Sequence, residues 1–252
     1  MNTLITEIKK YVTELKIPGI NQSLKMKIEE AYRLDKSYEE FLKEIFEEAY
    51  DLRKENGRKG RIRNAKFPYS KYLDSLQIEF LPEEAKKKLK ELKTLEFIEE
   101  GRNIILAGNP GTGKTHLSIG LGIECCNKGY KVYFATVPSL INELKESRSN
   151  KRLHSFEKRF ERYDLIILDE LGYISFDKEG SELLFTFLSL RAERKSTIIT
   201  TNLSFDRWDE IFNDAVLTAA LIDRMTHNSF VINMNGGSYR MKETKEWLEK
   251  SL

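Results

Sequence analysis

The sequence predicts an α/β domain, a mostly parallel sheet with helices on both faces, preceded by a small all-α domain. Three observations carry this. Apolar runs recur at 103–107, 131–136, 164–168, 196–200 and 230–234, with amphipathic helical segments between them. That alternation belongs to a parallel sheet whose crossovers are helices. The first run leads into Gly108-Asn109-Pro110-Gly111-Thr112-Gly113-Lys114-Thr115, the pattern of a phosphate-binding loop between a strand and a helix. Residues 1 to about 60 instead show helical periodicity throughout.

Composition sets outer bounds. The 252 residues are 40% hydrophobic and 33% charged, which is ordinary globular usage. A formal net charge of +2 is too mild to identify a nucleic-acid partner. No segment approaches ~18 uninterrupted apolar residues, and the start lacks the apolar core of a signal peptide. A cytoplasmic protein without membrane contact is expected. Cys125 and Cys126 are sequence neighbours in a helical pattern, which suits packing better than a disulfide or a metal.

Taken in order, Leu4, Ile8, Tyr11 and Leu15 share one helical face, and Pro18-Gly19 breaks the helix. Leu24, Ile28 and Tyr32 mark a second helix. Ser37 and Glu40 form a capping box opening a third, striped by Phe41, Ile45, Ala49 and Leu52. This bundle, residues 1–60, carries no catalytic equipment and is assigned to binding. A basic linker to about residue 66 follows. Between 53 and 66 seven basic residues face one acid, and Gly57 and Gly60 suggest a mobile hinge. Arg58, Lys59, Arg61, Arg63 and Lys66 make a local footprint for nucleic-acid phosphates. Phe67-Pro68-Tyr69 then begins the second domain, 67–252. A helical stretch over 82–100 opens at Pro82 and ends at Gly101.

The chemistry starts in the glycine-rich loop. Backbone N–H groups from Gly108 to Thr115 can turn inward as an anion cradle, and the helix starting near Gly113 points its positive end at the same phosphates. Lys114 reaches the β- and γ-phosphates, and the Thr115 hydroxyl faces Mg²⁺. Leu165-Ile166-Ile167-Leu168-Asp169-Glu170 puts two carboxylates at the C-terminal end of a buried strand, where open α/β sheets bind ligands. Asp169 is placed to hold Mg²⁺, and Glu170 to polarise a water for attack on the γ-phosphate. Asn202, after the strand at 196, can orient that water or simply cap a turn. Arg224, in Leu221-Ile222-Asp223-Arg224-Met225, can reach a neighbouring subunit's phosphate, with Arg191 and Arg194 as rivals.

Together these pieces resemble the AAA+ ATPases: Walker A at 108–115, Walker B at 165–170, sensor 1 at Asn202 and an arginine-finger box at 221–225. More specifically, the chain is similar to the IstB family of transposition helper ATPases, relatives of the DnaC helicase loader. The similarity lies in Ala65-Lys66-Phe67-Pro68-Tyr69, Gly108 through His116-Leu117, Asp169-Glu170-Leu171-Gly172-Tyr173 and Ser238-Tyr239-Arg240. The resemblance implies strand order 5-1-4-3-2, binding of ATP with Mg²⁺ including contact at His116, and self-assembly into a homo-oligomer. It also implies duplex DNA and the transposase of the same element as partners, with helicase loading as the alternative. Only 28 residues follow Arg224, too few for the full helical lid of many AAA+ proteins. Arg240 could substitute for the lid's arginine but is read sooner as a surface cation on the terminal helical segment, and site closure is expected from a neighbouring subunit.

Overall fold

The computed structural model describes residues 2–250. By its internal contacts the chain divides into two compact units, 1–60 and 61–252.

In the first unit, α1 (Asn2–Glu14), α2 (Ile20–Arg33) and the start of α3 (Tyr38–Asn64) pack around Val12, Ile20, Leu24, Ile45 and Ala49. The capping box forms reciprocally: Ser37 N–H donates to Glu40 Oε2 at 2.9 Å, and Glu40 N–H donates to Ser37 Oγ at 3.2 Å. The stripe expected to fill the core of α1 faces solvent instead. Leu4, Ile8, Tyr11 and Leu15 are exposed, while Ile5 and Val12 pack inward. This helix carries two apolar faces, and periodicity alone does not say which one a neighbour covers. Tyr32 and Leu52 are likewise exposed.

The expected hinge is helical. α3 runs through Gly57 and Gly60 to Asn64, so local helix propensity of the surrounding Lys and Arg outweighs two glycines at roughly 1 kcal/mol each. Its last turn already belongs to the second unit, where Ala65 is fully buried and its carbonyl accepts the Phe134 N–H at 2.8 Å.

The second unit continues through two short 3₁₀ turns (Leu73–Ser75 and Ile78–Phe80), α4 (Glu83–Leu92) and α5 (Glu96–Glu99). The helical stretch expected over 82–100 is thus broken, with Leu95 in the left-handed region at φ 65°. Then come β1 (Asn103–Ala107), α6 (Lys114–Lys128), β2 (Val132–Thr136), α7 (Val137–Ser149), α8 (Leu153–Phe160) and β3 (Leu165–Leu171). α9 (Lys178–Arg191), β4 (Ser196–Thr201), α10 (Asp209–Phe212), α11 (Ala215–Thr226), β5 (Ser229–Asn233) and α12 (Tyr239–Lys250) complete it.

The sheet order is β2-β3-β4-β1-β5, and every pairing is parallel. Read from the other edge this is 5-1-4-3-2. Alternate residues feed two cores. Ile104, Leu106, Ile167 and Ile198 pack with α4 and α6, and Ile105, Ile166, Leu168 and Ile199 pack with α7, α9 and α11. Both cysteines lie in the first core as free thiols, and burial pushes their pKa up, that of Cys126 to about 11. They are inert packing residues.

Candidate functional site: the phosphate loop and its strap

At the C-terminal edge of β1 and β3 a cavity of about 310 Å³ opens. Pro110 to His116, Glu170, Thr200, Thr201, Tyr239 and Arg240 line it, with Tyr69, Ser75, Leu76 and Phe80 from the segment before α4. The loop conformation is fixed from behind by the chain that leaves β5. Met234 N–H donates to Ala107 O at 2.6 Å, and Asn109 N–H donates to Asn235 Oδ1 at 3.1 Å. A Cβ on Gly108 would come within 2.2 Å of the Met234 carbonyl carbon, and one on Gly111, at φ 80°, within 2.2 Å of Ser238 Oγ. Those two positions accept glycine alone.

Lys114 is buried at the start of α6, and its ammonium donates to the carbonyls of Gly108 and Asn109, each at 2.6 Å. Burial, aided by the Arg240 charge and opposed by Asp169, draws its pKa down to about 8. Thr112 Oγ1 donates to Asn109 O at 2.8 Å, bracing the loop. The His116 ring contacts Tyr72 O and Ser75 Oγ at 2.9 and 3.2 Å, so it ties α6 to the first 3₁₀ turn.

Beside Lys114, the Thr115 Oγ1 donates to Asp169 at 3.0 and 3.1 Å to its two oxygens. Burial raises the Asp169 pKa, opposed by hydrogen bonds from Thr200 and Thr115 and by the Lys114 charge. A hydroxyl and a desolvated carboxylate side by side are the hard oxygen donors that suit Mg²⁺, which keeps most of its waters. β3 and β4 lose register between Leu168 and Leu171. Glu170 sits at this bulge with φ 66° and is exposed to the cavity. Bulges re-aim side chains in this way.

Several expected residues stand elsewhere. Asn202 does not line the cavity. It borders a neighbouring recess of about 410 Å³ with Gly108 and Asn235, and its Oδ1 is buried without a hydrogen-bond partner. β4 ends one residue earlier, so Thr200 and Thr201 take the cavity wall. Arg191 is 4% exposed and donates to the carbonyls of Phe160, Tyr163 and Ser196. It is a structural cap and no candidate for reaching a neighbour. Arg194 is exposed, and Arg224 is exposed with its guanidinium 5.0 Å from the centre of the Phe185 ring.

Arg240 is exposed, as a surface cation is, and it also lines the cavity. α12 starts where Tyr239 N–H donates to Gly111 O at 2.9 Å, and this brings Arg240 to the cavity. Tyr239 packs on Phe80 at 5.4 Å between ring centres. The last helix of the chain thus starts on the phosphate loop. The basic residues before Phe67 are mostly engaged. Arg58 pairs with Glu55 at 2.7 Å, Lys59 lies 3.4 Å from the same carboxylate, Arg61 donates to Cys126 O at 2.8 Å, and Lys66 stands over the Tyr133 ring. Arg63 is exposed.

A parallel sheet in this order, a glycine loop closed on a lysine, and a strand-end aspartate–glutamate pair define the AAA+ class of P-loop ATPases. Solved structures agree at the level of fold. The DnaC helicase loader superposes with TM-score 0.54 at 22% identity, over 69% of this chain and 98% of that one. AMPPCP-bound DnaA from Aquifex aeolicus gives 0.55 at 21%, over 73% and 56%. Within the class, the chain belongs to the IstB-like ATP binding protein family, whose model matches residues 10–247. It is 34% identical over 240 residues to the insertion sequence IS21 putative ATP-binding protein of Pseudomonas aeruginosa, covering 95% of this chain and 91% of that protein. The IS5376 putative ATP-binding protein of Geobacillus stearothermophilus is also 34% identical, over 96% and 97%.

Proposed function

We propose that this protein is an ATP-hydrolysing, DNA-binding regulator of transposition. It assembles as a homo-oligomer on duplex DNA in the cytoplasm, helps select target DNA, and stimulates the transposase of the same element. The observation that supports this reading best is the convergence of Lys114, Thr115 and Glu170 on one cavity, with Asp169 hydrogen-bonded to Thr115, in a chain whose relatives come from insertion sequences over nearly their full length. Helicase loading is the weaker reading, since the likeness to DnaC is one of fold.

In the proposed mechanism Lys114 leaves the Gly108 and Asn109 carbonyls for the β- and γ-phosphates. Thr115 and Asp169 would hold Mg²⁺, which when bound would supply positive charge beside the phosphates. Glu170 accepts the proton of the attacking water, and Arg240 faces the phosphates from the same chain. Arg224 projects from α11 toward a neighbouring subunit's site. The helical unit 1–60 contacts the partner or DNA, and the basic residues ahead of Phe67 contact phosphates. No helix among the described residues is long and apolar enough to cross a membrane.

Sedimentation with ATP and duplex DNA together tests the assembly. A large complex is expected with both ligands, and a monomer under those conditions overturns the reading. Pulldown with the neighbouring transposase against a replicative helicase separates the two partner classes.

A further inference from the structure

Thr200 was not marked by any sequence pattern, yet it touches both halves of the aspartate–glutamate pair. It is 2% exposed on β4, next to β1 at the Leu106 register. Its Oγ1 donates to Asp169 Oδ1 at 2.5 Å and accepts the Glu170 N–H at 3.0 Å. The bulge removes Asp169 and Glu170 from the β3–β4 ladder, which resumes only at Leu171 opposite Thr201. A bulged residue loses its backbone partner, and here a side-chain hydroxyl takes that place. A hydroxyl alone among side chains of this size donates once and accepts at the same time.

We infer that Thr200 is a positioning residue that sets both carboxylates through one hydroxyl. Toward Asp169 it acts with Thr115: both hydroxyls donate to Oδ1 and Thr115 also reaches Oδ2, so the carboxylate is held in one orientation. Toward Glu170 it pins the left-handed backbone, φ 66°, that turns the side chain into the cavity. The two roles of the pair, holding Mg²⁺ and activating water, are thereby locked to a single hydrogen-bonding atom. This rests on the reading of the site as one that hydrolyses ATP with Mg²⁺.

The test uses the full chain with Thr200→Val, which keeps the shape and loses the hydroxyl, and Thr200→Ser, which keeps the hydroxyl. Affinity for a fluorescent ATP analogue is measured in EDTA and across a Mg²⁺ titration, alongside kcat, KM and thermal melting. For Thr200→Val, affinity in EDTA stays within about twofold. The Mg²⁺ midpoint rises about tenfold, as expected when a group orienting a metal-facing carboxylate is removed. The kcat falls roughly 10- to 100-fold with little change in KM, the cost of a misplaced reacting group. Thr200→Ser restores both. A Thr200→Val protein with wild-type Mg²⁺ midpoint and kcat overturns the inference, as does a folded Thr200→Ser that restores neither. If Thr200→Val melts below the assay temperature, Thr200→Ala carries the same expectations. Wild-type protein that turns over no ATP would retire the hydrolysis reading, while the Mg²⁺ titration would still decide the role of Thr200.

Discussion

Tyr239 donates its N–H to the Gly111 carbonyl at 2.9 Å, so the last helix of the chain begins on the phosphate loop itself. The placement of α12 is therefore tied to the conformation of the phosphate loop. Gly111→Ala strikes Ser238 Oγ and strains a backbone at φ 80°, a penalty of about 1–3 kcal/mol. Nucleotide affinity should fall about tenfold or more in a fluorescence titration. Adding Ser238→Gly relieves the contact and should recover part of the loss.

Lys114→Ala removes a buried cation that faces the phosphates. Loss of charge-assisted hydrogen bonds worth about 1.5–3 kcal/mol should weaken nucleotide binding roughly 10- to 100-fold by calorimetry. Assembly on DNA should weaken with it.

Glu170→Gln keeps the bulge, because the backbone bond to Thr200 is untouched. Binding should persist, whereas hydrolysis should slow on the order of 10²- to 10⁴-fold with the base gone. Phosphate release assays check this, and equal rates in variant and wild type would remove Glu170 as the base.

Arg191 and Arg224 should separate cleanly. Arg191→Met strands three carbonyls in the interior, at a cost of about 3 kcal/mol or more. Melting should drop by roughly 6–12 °C at 2–4 °C per kcal/mol. Arg224→Ala should leave melting unchanged and lose ATP turnover. Mixing it with Glu170→Gln subunits, which supply Arg224 to their neighbours, should recover turnover.

Among the basic residues, Arg63→Glu should lower duplex affinity and reduce the salt slope by about 1, read from filter binding at several salt concentrations. Arg61→Glu should also lower stability, because Arg61 bonds the Cys126 carbonyl.

Much of this protein was legible in the sequence because its signals are local. Each strand of the sheet falls within a few residues of its apolar run, with β3 extending past the expected end to Leu171 and β4 by one residue to Thr201. The Gly108–Thr115 spacing and the Asp169-Glu170 pair needed no long-range information, since a phosphate cradle is made by consecutive backbone amides. The capping box of Ser37 and Glu40 spans three residues and formed as read.

What only the tertiary structure decided depends on contacts between distant segments. Nothing near Arg191 in sequence reveals that the Phe160, Tyr163 and Ser196 carbonyls surround it. That Arg240 lines the cavity is decided by Asn235 and Tyr239, which fasten the tail to a loop more than a hundred residues earlier. Which apolar face of α1 is buried was settled by its neighbours. Thr200 gained its place because a one-residue slip in one strand frees an amide opposite its hydroxyl. The sequence determined that a phosphate site exists, and the packing of the chain decided which side chains stand around it.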